Sequence, residues 1–199
     1  MTATGIVFWT TMAVATSLDV LLIATLFVPS VQFWPPPGRW TWQYRLVWTL
    51  YSLLLPGVLG LALLDWGTLS LDEWIGHAGH LSIGTGLVTM GTGLALWGIY
   101  TLSFRASLGL EEALVVSAPY RFTRNPQYVG DILLAAGLPI LSGSALLAVV
   151  APGVALGFVL VPFAEEPWLE TRYGDAYRRY RARVPRWIPT CRRPALVLD

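Results

Sequence analysis

Long runs of apolar residues separated by short polar segments set the pattern of this chain. Five runs are candidates for membrane-crossing helices: residues 5–29, 44–64, 81–103, 127–142 and 145–164. A helix needs about 20 predominantly apolar residues to cross a bilayer. The fourth run is shorter, and we expect it to lengthen by starting within the polar segment before it. The pattern therefore predicts an all-α polytopic membrane protein with about five transmembrane helices.

Residues 167–183 follow a different pattern, in which aromatic and apolar side chains recur at helical spacing. Tyr173, Tyr177 and Tyr180 fall on one face, while most of the arginines lie elsewhere. A helix with one apolar and one basic face is typical of a segment that lies on a membrane surface. The pattern predicts a C-terminal amphipathic helix that anchors the chain to the membrane surface, with Gly174 as a candidate break.

The arginines predict the orientation of the spans. All thirteen basic residues are arginine, and the chain has no lysine. Five spans with a cytoplasmic C-terminus place every arginine on the cytoplasmic side, as positively charged residues near spans prefer. We therefore expect the N-terminus outside and an integral protein of the cytoplasmic membrane.

Aromatic residues surround a proline run in the loop that follows the first span. Phe33 and Trp34 precede Pro35-Pro36-Pro37-Gly38, and Trp40 and Trp42 follow it. Proline interrupts helices, and tryptophan is enriched where a membrane meets water. We expect this loop and its tryptophans to lie in the headgroup layer.

Composition supports an integral membrane protein and excludes several other classes. Hydrophobic residues make up 55% of the chain and charged residues 13%, whereas soluble domains carry roughly 25% charged residues. The net charge of +1 argues against a nucleic-acid partner. The single cysteine, Cys191, excludes an internal disulfide and a cysteine-based metal cage.

Glycines recur along the third apolar run. Gly84, Gly91 and Gly98 are seven residues apart, and Gly86 and Gly93 form a second pair at the same spacing. On a helix, each set lies along nearly one face and lets a neighbouring backbone approach closely. The pattern favours helix packing as the role of the glycines, and cofactor contact is the alternative.

The most distinctive polar passage is the segment at residues 117–128, which lies between apolar spans. It holds two arginines, two tyrosines, two prolines and Asn125, the only asparagine of the chain. Glu165 and Glu166 follow the two apolar runs after it. Because the Ser142-Gly143-Ser144 turn would fold those runs into a hairpin, we expect the polar segment and the two glutamates to meet and form the working site.

This order of motifs resembles the isoprenylcysteine carboxyl methyltransferase family, which is related to the phospholipid N-methyltransferases. The family signature is Arg-His-Pro-x-Tyr, a hydrophobic hairpin and then Glu-Glu. The chain departs from it at Asn125, where the family has histidine, and at Val161, where the eukaryotic isoprenylcysteine enzymes have arginine. The resemblance covers roughly the last hundred residues and rests on residues 119–130, 165–169, 173–177, Tyr180 and Val184-Pro185.

The resemblance implies a single membrane methyltransferase-like domain over residues 1–199, with N-terminal spans at 1–103 and a cofactor-binding core at 104–199. It implies S-adenosyl-L-methionine as cofactor at the cytoplasmic face, in a pocket open to lipid, and a lipophilic small-molecule or lipid acceptor. Carried over by position, the cofactor contacts would be Gly91, Gly93, Arg105, Glu112, Ala113, Leu114, Val115, Tyr120, Asn125, Pro126, Gln127, Tyr128 and Glu165.

The residue types fit that cofactor independently. Glu165 could pair with its ammonium group or offset its sulfonium charge, and Arg124 or Arg121 could bind its carboxylate through charge-assisted hydrogen bonds. Tyrosine faces attract such cations. We expect Arg124 and Glu166 to be catalytic, Glu166 as the proton acceptor that an amine substrate would need.

Other functions and simpler roles compete with this prediction. An NADPH-dependent intramembrane sterol-type reductase has a similar tyrosine-rich tail, and a non-catalytic membrane scaffold could keep the fold. Juxtamembrane arginines often only anchor spans, and Glu165-Glu166 could simply begin a surface helix.

Two further polar groups receive structural interpretations. Asp19, inside the first span, is expected to bond within the helix bundle. His77 and His80 are spaced i, i+3 near Asp72 and Glu73, a spacing that permits a metal ion on a helix. Few such surface pairs bind metal, and no metal site is predicted.

Overall fold

The protein is a bundle of helices in the computed structural model, which describes residues 2–28, 31–102 and 114–187. Within those ranges the chain forms α-helices, one short 3₁₀ helix at Ala118–Arg121 and no strand, which confirms the all-α prediction. The α-helices are α1 (Ala3–Phe27), α2 (Trp42–Leu64), α3 (Asp72–Ile75), α4 (His77–Leu102), α5 (Pro126–Ser142), α6 (Ala145–Tyr173) and α7 (Asp175–Arg183).

Four of these helices, α1, α2, α4 and α6, are long and apolar enough to cross a membrane. The 17 residues of α5 correspond to about 25 Å at 1.5 Å per residue. Its start packs at Gly98 and its end at Gly84, so it runs antiparallel to α4. A two-residue turn then leads into α6. The five predicted spans therefore correspond to four long helices and the shorter α5, which lies between α4 and α6 in the chain and runs antiparallel to α4.

One row of glycines in α4 forms the contact with α5. A Cβ atom on Gly91 would lie 2.7 Å from the carbonyl oxygen of Gly130, and one on Gly84 would lie 2.5 Å from the Cα of Leu141. Gly93 lies two residues and therefore about 200° around the helix from Gly91, and a Cβ atom added to it would meet nothing within 4 Å. The first row packs helices as the spacing predicts, whereas the second pair faces away from them.

Asp65 at the end of α2 ties the loop before α3 to the start of α6. Its Oδ2 atom accepts hydrogen bonds from the Ser144 hydroxyl at 2.7 Å, the Leu146 N–H at 2.9 Å and the Thr68 hydroxyl at 2.9 Å. Burial acts to raise the pKa of Asp65, but these hydrogen bonds outweigh it and lower the pKa. The buried carboxylate therefore stays ionised and fixes the α5–α6 hairpin at this end.

Asp19 of α1 lies buried against α6. A Cβ atom on Gly157 would stand 3.0 Å from its Oδ1 atom, and Gly153 lies in the same contact. The small residues of α6 therefore make room for the carboxylate between the helices. Its structural role stays a prediction.

The C-terminal amphipathic helix differs from the prediction in where it starts and in what it covers. α6 continues through Pro167 and ends at Tyr173, because Gly174 adopts φ +53°, ψ −126°, which a residue with a side chain seldom adopts. The anticipated break at Gly174 is confirmed. The tyrosines of α7, Tyr177 and Tyr180, are buried with Val184 against the chain itself, so the membrane-anchor interpretation is wrong for this face.

Candidate functional site

Glu165 lies at the junction of three parts of the chain. Its Oε1 atom accepts a hydrogen bond from the indole N–H of Trp34 at 2.6 Å and another from the hydroxyl of Tyr128 at 2.5 Å. Trp34 comes from the loop between α1 and α2, and Tyr128 from the first turn of α5. Both bonds converge on one oxygen, and Oε2 receives none from the described residues. The carboxylate is thus held in place with an acceptor atom still available.

Trp34 was expected in the headgroup layer and is instead part of the protein interior. Phe33 and Trp34 are 7% and 5% exposed, whereas Trp40 and Trp42 are 73% and 60% exposed, and their position in the headgroup layer stays a prediction. A buried indole needs a partner for its N–H group, and Glu165 provides it. No sequence signal links the two residues, which are 131 positions apart.

Aromatic side chains surround Glu165. Tyr128 stacks on Phe158, with ring centroids 6.4 Å apart and planes at 25°. Tyr120 is buried, and its hydroxyl lies 3.4 Å from the carbonyl oxygen of Gly98. Burial, reinforced by the negative charge of Glu165, raises the pKa of Tyr120. Its hydroxyl therefore stays protonated near the carboxylate.

Glu166 lies within a buried cluster of charges. Arg186 donates from Nε to Oε1 at 2.7 Å and from Nη2 to Oε2 at 2.6 Å, a bidentate pair. Arg124 approaches the same carboxylate with Nη1 at 3.3 Å. Both carboxylate oxygens of Glu166 already accept hydrogen bonds from Arg186, and its predicted role as a proton acceptor stays a prediction.

Arg124 has side-chain N–H groups that are not hydrogen-bonded within the described ranges. Its side chain is 10% exposed, and its Nε and Nη1 atoms make no hydrogen bond of acceptable geometry with the described residues. Tyr177 lies beside it, and burial followed by the negative charge of Glu166 raises the pKa of the Tyr177 hydroxyl to about 12. Buried N–H groups without an acceptor are costly, so an anionic group of a ligand would be stabilised here.

Asn125, the residue in place of the family histidine, holds the C-terminal segment. Its side-chain N–H donates to the carbonyl oxygen of Arg186 at 3.0 Å, and the Thr123 hydroxyl donates to the same oxygen at 2.9 Å. The backbone N–H of Arg124 donates to the carbonyl oxygen of Pro185 at 2.9 Å. The polar segment therefore clasps residues 185–186, which positions the Arg186 side chain on Glu166.

Arg186 is the functional candidate that sequence reasoning missed. The Val184-Pro185 pair was part of the resemblance, but nothing in its spacing marks the next residue as a partner of Glu166. Its guanidinium also lies 4.0 Å from the ring centroid of Phe163. Tyr180 strengthens the same junction, because its hydroxyl donates to the carbonyl oxygen of Tyr120 at 2.7 Å.

The remaining predicted residues divide into three groups. Pro126 and Gln127 begin α5, and Leu114 packs against the Tyr177 cluster with Val115 half-buried next to it. Gly91 is covered by α5, Gly93 faces away from it, and Arg121 is exposed with its guanidinium over Phe122 at 4.7 Å. Arg105, Glu112 and Ala113 lie outside the described residues.

Comparison with known proteins points to the same region of the chain. Residues 80–176 match the family model described as phospholipid methyltransferase. A curated protein from Schizosaccharomyces pombe, protein-S-isoprenylcysteine O-methyltransferase, is 32% identical over 80 residues, which cover 40% of this chain. The aligned region spans about a third (34%) of that relative. No solved structure matches significantly.

The matched region contains the polar segment, the α5–α6 hairpin and both glutamates of the site. It also contains the motif residues 119–130, 165–169 and 173–176, on which much of the predicted resemblance rests. Residues 80–176 are therefore similar to the phospholipid methyltransferase family, and the similarity covers the part of the chain that contains the site.

Proposed function

We propose that the protein is an S-adenosylmethionine-dependent methyltransferase that acts on a lipophilic acceptor at the cytoplasmic face of the membrane. The observation that carries this proposal is the juxtaposition at the end of the hairpin of a positioned carboxylate, Glu165, and a buried guanidinium with unsatisfied N–H groups, Arg124. The cytoplasmic side follows from the arginines, which all fall there when the C-terminus is cytoplasmic.

The donors and acceptors of the site fit the cofactor group by group. S-adenosylmethionine supplies an electrophilic methyl group on a sulfonium centre, and it also carries an ammonium and a carboxylate. Glu165 and the faces of Tyr120 and Tyr128 suit the cationic groups. The buried N–H groups of Arg124 that lack a hydrogen-bond partner in the described part of the chain suit the carboxylate.

The contribution of the chain to catalysis is alignment and exclusion of water. Methyl transfer is an in-line displacement, so holding the reactants in register can supply most of the rate enhancement. Hydrogen bonds from Trp34 and Tyr128 hold Glu165 in place. Arg186 holds Glu166, and Glu166 in turn contacts Arg124. In this proposal Glu166 and Arg186 are positioning residues, and the proton of an amine, thiol or hydroxyl acceptor is lost to bulk water when the product leaves the site.

We predict that the purified protein binds S-adenosylmethionine and that Glu165→Gln weakens this binding by about 1–3 kcal/mol, because one charge-assisted hydrogen bond is lost. Glutamine keeps an oxygen that can still accept from Trp34 and Tyr128, so the local packing is preserved. Isothermal titration calorimetry in detergent measures the change.

Glu170→Gln is the matched control. It lies on the same helix and pairs at the surface with Arg178 and Arg181, and it should leave binding unchanged. Titration with NADPH tests the alternative that the protein is a reductase. Binding of neither NADPH nor S-adenosylmethionine would indicate a non-catalytic scaffold. Equal affinity of the Glu165→Gln and unmodified proteins would remove Glu165 from the cofactor site.

The surroundings of Glu165 favour an acceptor without negative charge. Val161, one turn before Glu165, is 1% exposed and packed in the core, where the isoprenylcysteine enzymes of eukaryotes have arginine. An anionic acceptor near Glu165 would meet its carboxylate with no cation at position 161 to compensate.

We therefore expect poor methylation of farnesyl-cysteine analogues and better turnover of apolar amine, thiol or hydroxyl compounds. A radiolabelled methyl-transfer assay with the unmodified protein in lipid compares the two classes directly. Efficient methylation of a prenylcysteine carboxylate would contradict the acceptor class while leaving the cofactor site intact.

A further inference from the structure

Both histidines of the chain lie at the end of the bundle opposite Glu165. The sequence contains two histidines, His77 and His80, and they begin α4. Because α4 and α5 run antiparallel, the site near Tyr128 and the start of α4 are separated by the length of α5, about 25 Å. The histidines therefore belong to a different site from the one proposed above.

Asp72 bridges the two imidazoles. Its Oδ1 atom lies 2.6 Å from Nδ1 of His80, and its Oδ2 atom lies 3.2 Å from Nδ1 of His77. One ligand atom from each of the three residues lies within 4.8 Å of the other two. Gly76, at φ +73°, makes the turn between α3 and α4 that brings Asp72 to the histidines.

The burial of His80 and the state of its Nδ1 atom could not be predicted from the i, i+3 spacing. The residue is 8% exposed, and its Nδ1 atom makes no hydrogen bond with the described residues despite its 2.6 Å separation from Asp72. A buried nitrogen that faces a carboxylate without a hydrogen bond is unfavourable. A cation shared by these atoms would satisfy the nitrogen and the carboxylate together.

We propose that Asp72, His77 and His80 bind a divalent transition metal ion, with Zn²⁺ the best fit. Two imidazole nitrogens and one carboxylate oxygen are ligands that zinc accepts at about 2.0–2.2 Å, with a fourth position left to water. The side chains of His77 and Asp72 are 74% and 56% exposed, so an ion can reach the site from solvent. Binding ties α3 to the first turn of α4.

The test uses the full-length protein, purified in detergent with an affinity tag free of histidine and stripped with EDTA. Zn²⁺ is titrated by isothermal calorimetry, and thermal unfolding is followed with and without the ion. We expect one Zn²⁺ per chain, a higher Tm with the ion, and affinity reduced at least about tenfold in His77→Ala and Asp72→Asn, since loss of even an outer partner costs that much.

Asp175→Asn is the control, because it removes the same charge from an exposed carboxylate on α7 and should bind zinc normally. His77 is largely exposed, so its substitution leaves the fold testable even if His80→Ala does not fold. Absence of Zn²⁺ binding, or binding unchanged in His77→Ala and Asp72→Asn, would mean that these residues form only a carboxylate–histidine contact and would overturn the proposal.

Discussion

Replacing Glu166 by alanine is expected to destabilise the protein by about 3–5 kcal/mol, the cost of breaking a buried ion pair by removing one partner. The side chain of Glu166 is 9% exposed, and that of Arg124 is 10% exposed. Arg186 makes two hydrogen bonds to the carboxylate. Without Glu166, two guanidinium groups are left close together without the carboxylate that they share.

Glu170→Ala provides the comparison. Glu170 is on the same helix and also pairs with two arginines, Arg178 and Arg181, but these side chains are 51% and 43% exposed. Exposed pairs contribute about 0–1 kcal/mol, so this variant should unfold almost as the unmodified protein does. Thermal and denaturant unfolding in detergent measure both variants, and equal losses would show that the Glu166 cluster is not buried as described.

A double-mutant cycle between Glu166→Gln and Arg186→Met measures the interaction energy of this pair separately from the packing around it. Contacting charges in one network show coupling of about 0.5–3 kcal/mol. Coupling near zero would indicate that Arg186 contributes through its contact with Phe163 alone.

Substituting alanine for Gly130 is the second change with a large expected effect. A Cβ atom there would lie 2.6 Å from the Ala95 nitrogen and 2.6 Å from the Gly91 carbonyl oxygen. These are backbone atoms, which cannot move aside without separating α4 from α5. Overpacking costs about 1–3 kcal/mol, and we expect the loss to lie at the upper end because the clash is with backbone.

Gly93→Ala on α4 has the opposite surroundings, with nothing within 4 Å of the added methyl group. Since alanine favours helix over glycine by about 1 kcal/mol, this variant should be neutral or slightly more stable. Unfolding midpoints of the two variants in the same detergent give the comparison. Similar midpoints would mean that α4 and α5 do not pack at the glycine row.

The sequence by itself determined the membrane class and the order of the helices. Apolar runs of about 20 residues leave a chain few alternatives to spanning helices, because a bilayer offers no partners for backbone groups. The polar segment before α5 and Glu165-Glu166 near the end of α6 must approach each other once those helices form a hairpin. The family motif is local in the chain, so it too was readable without coordinates.

Only the tertiary structure decided which side chains complete the site. Trp34 reaches Glu165 across 131 positions, and Arg186 rather than the exposed Arg121 joins Arg124 at Glu166. Asn125 holds the backbone of the C-terminal segment, a role that its position in the motif did not suggest. These contacts join segments that are far apart in the chain. Burial, rather than local spacing, determines which polar groups need a hydrogen-bond or ion-pair partner.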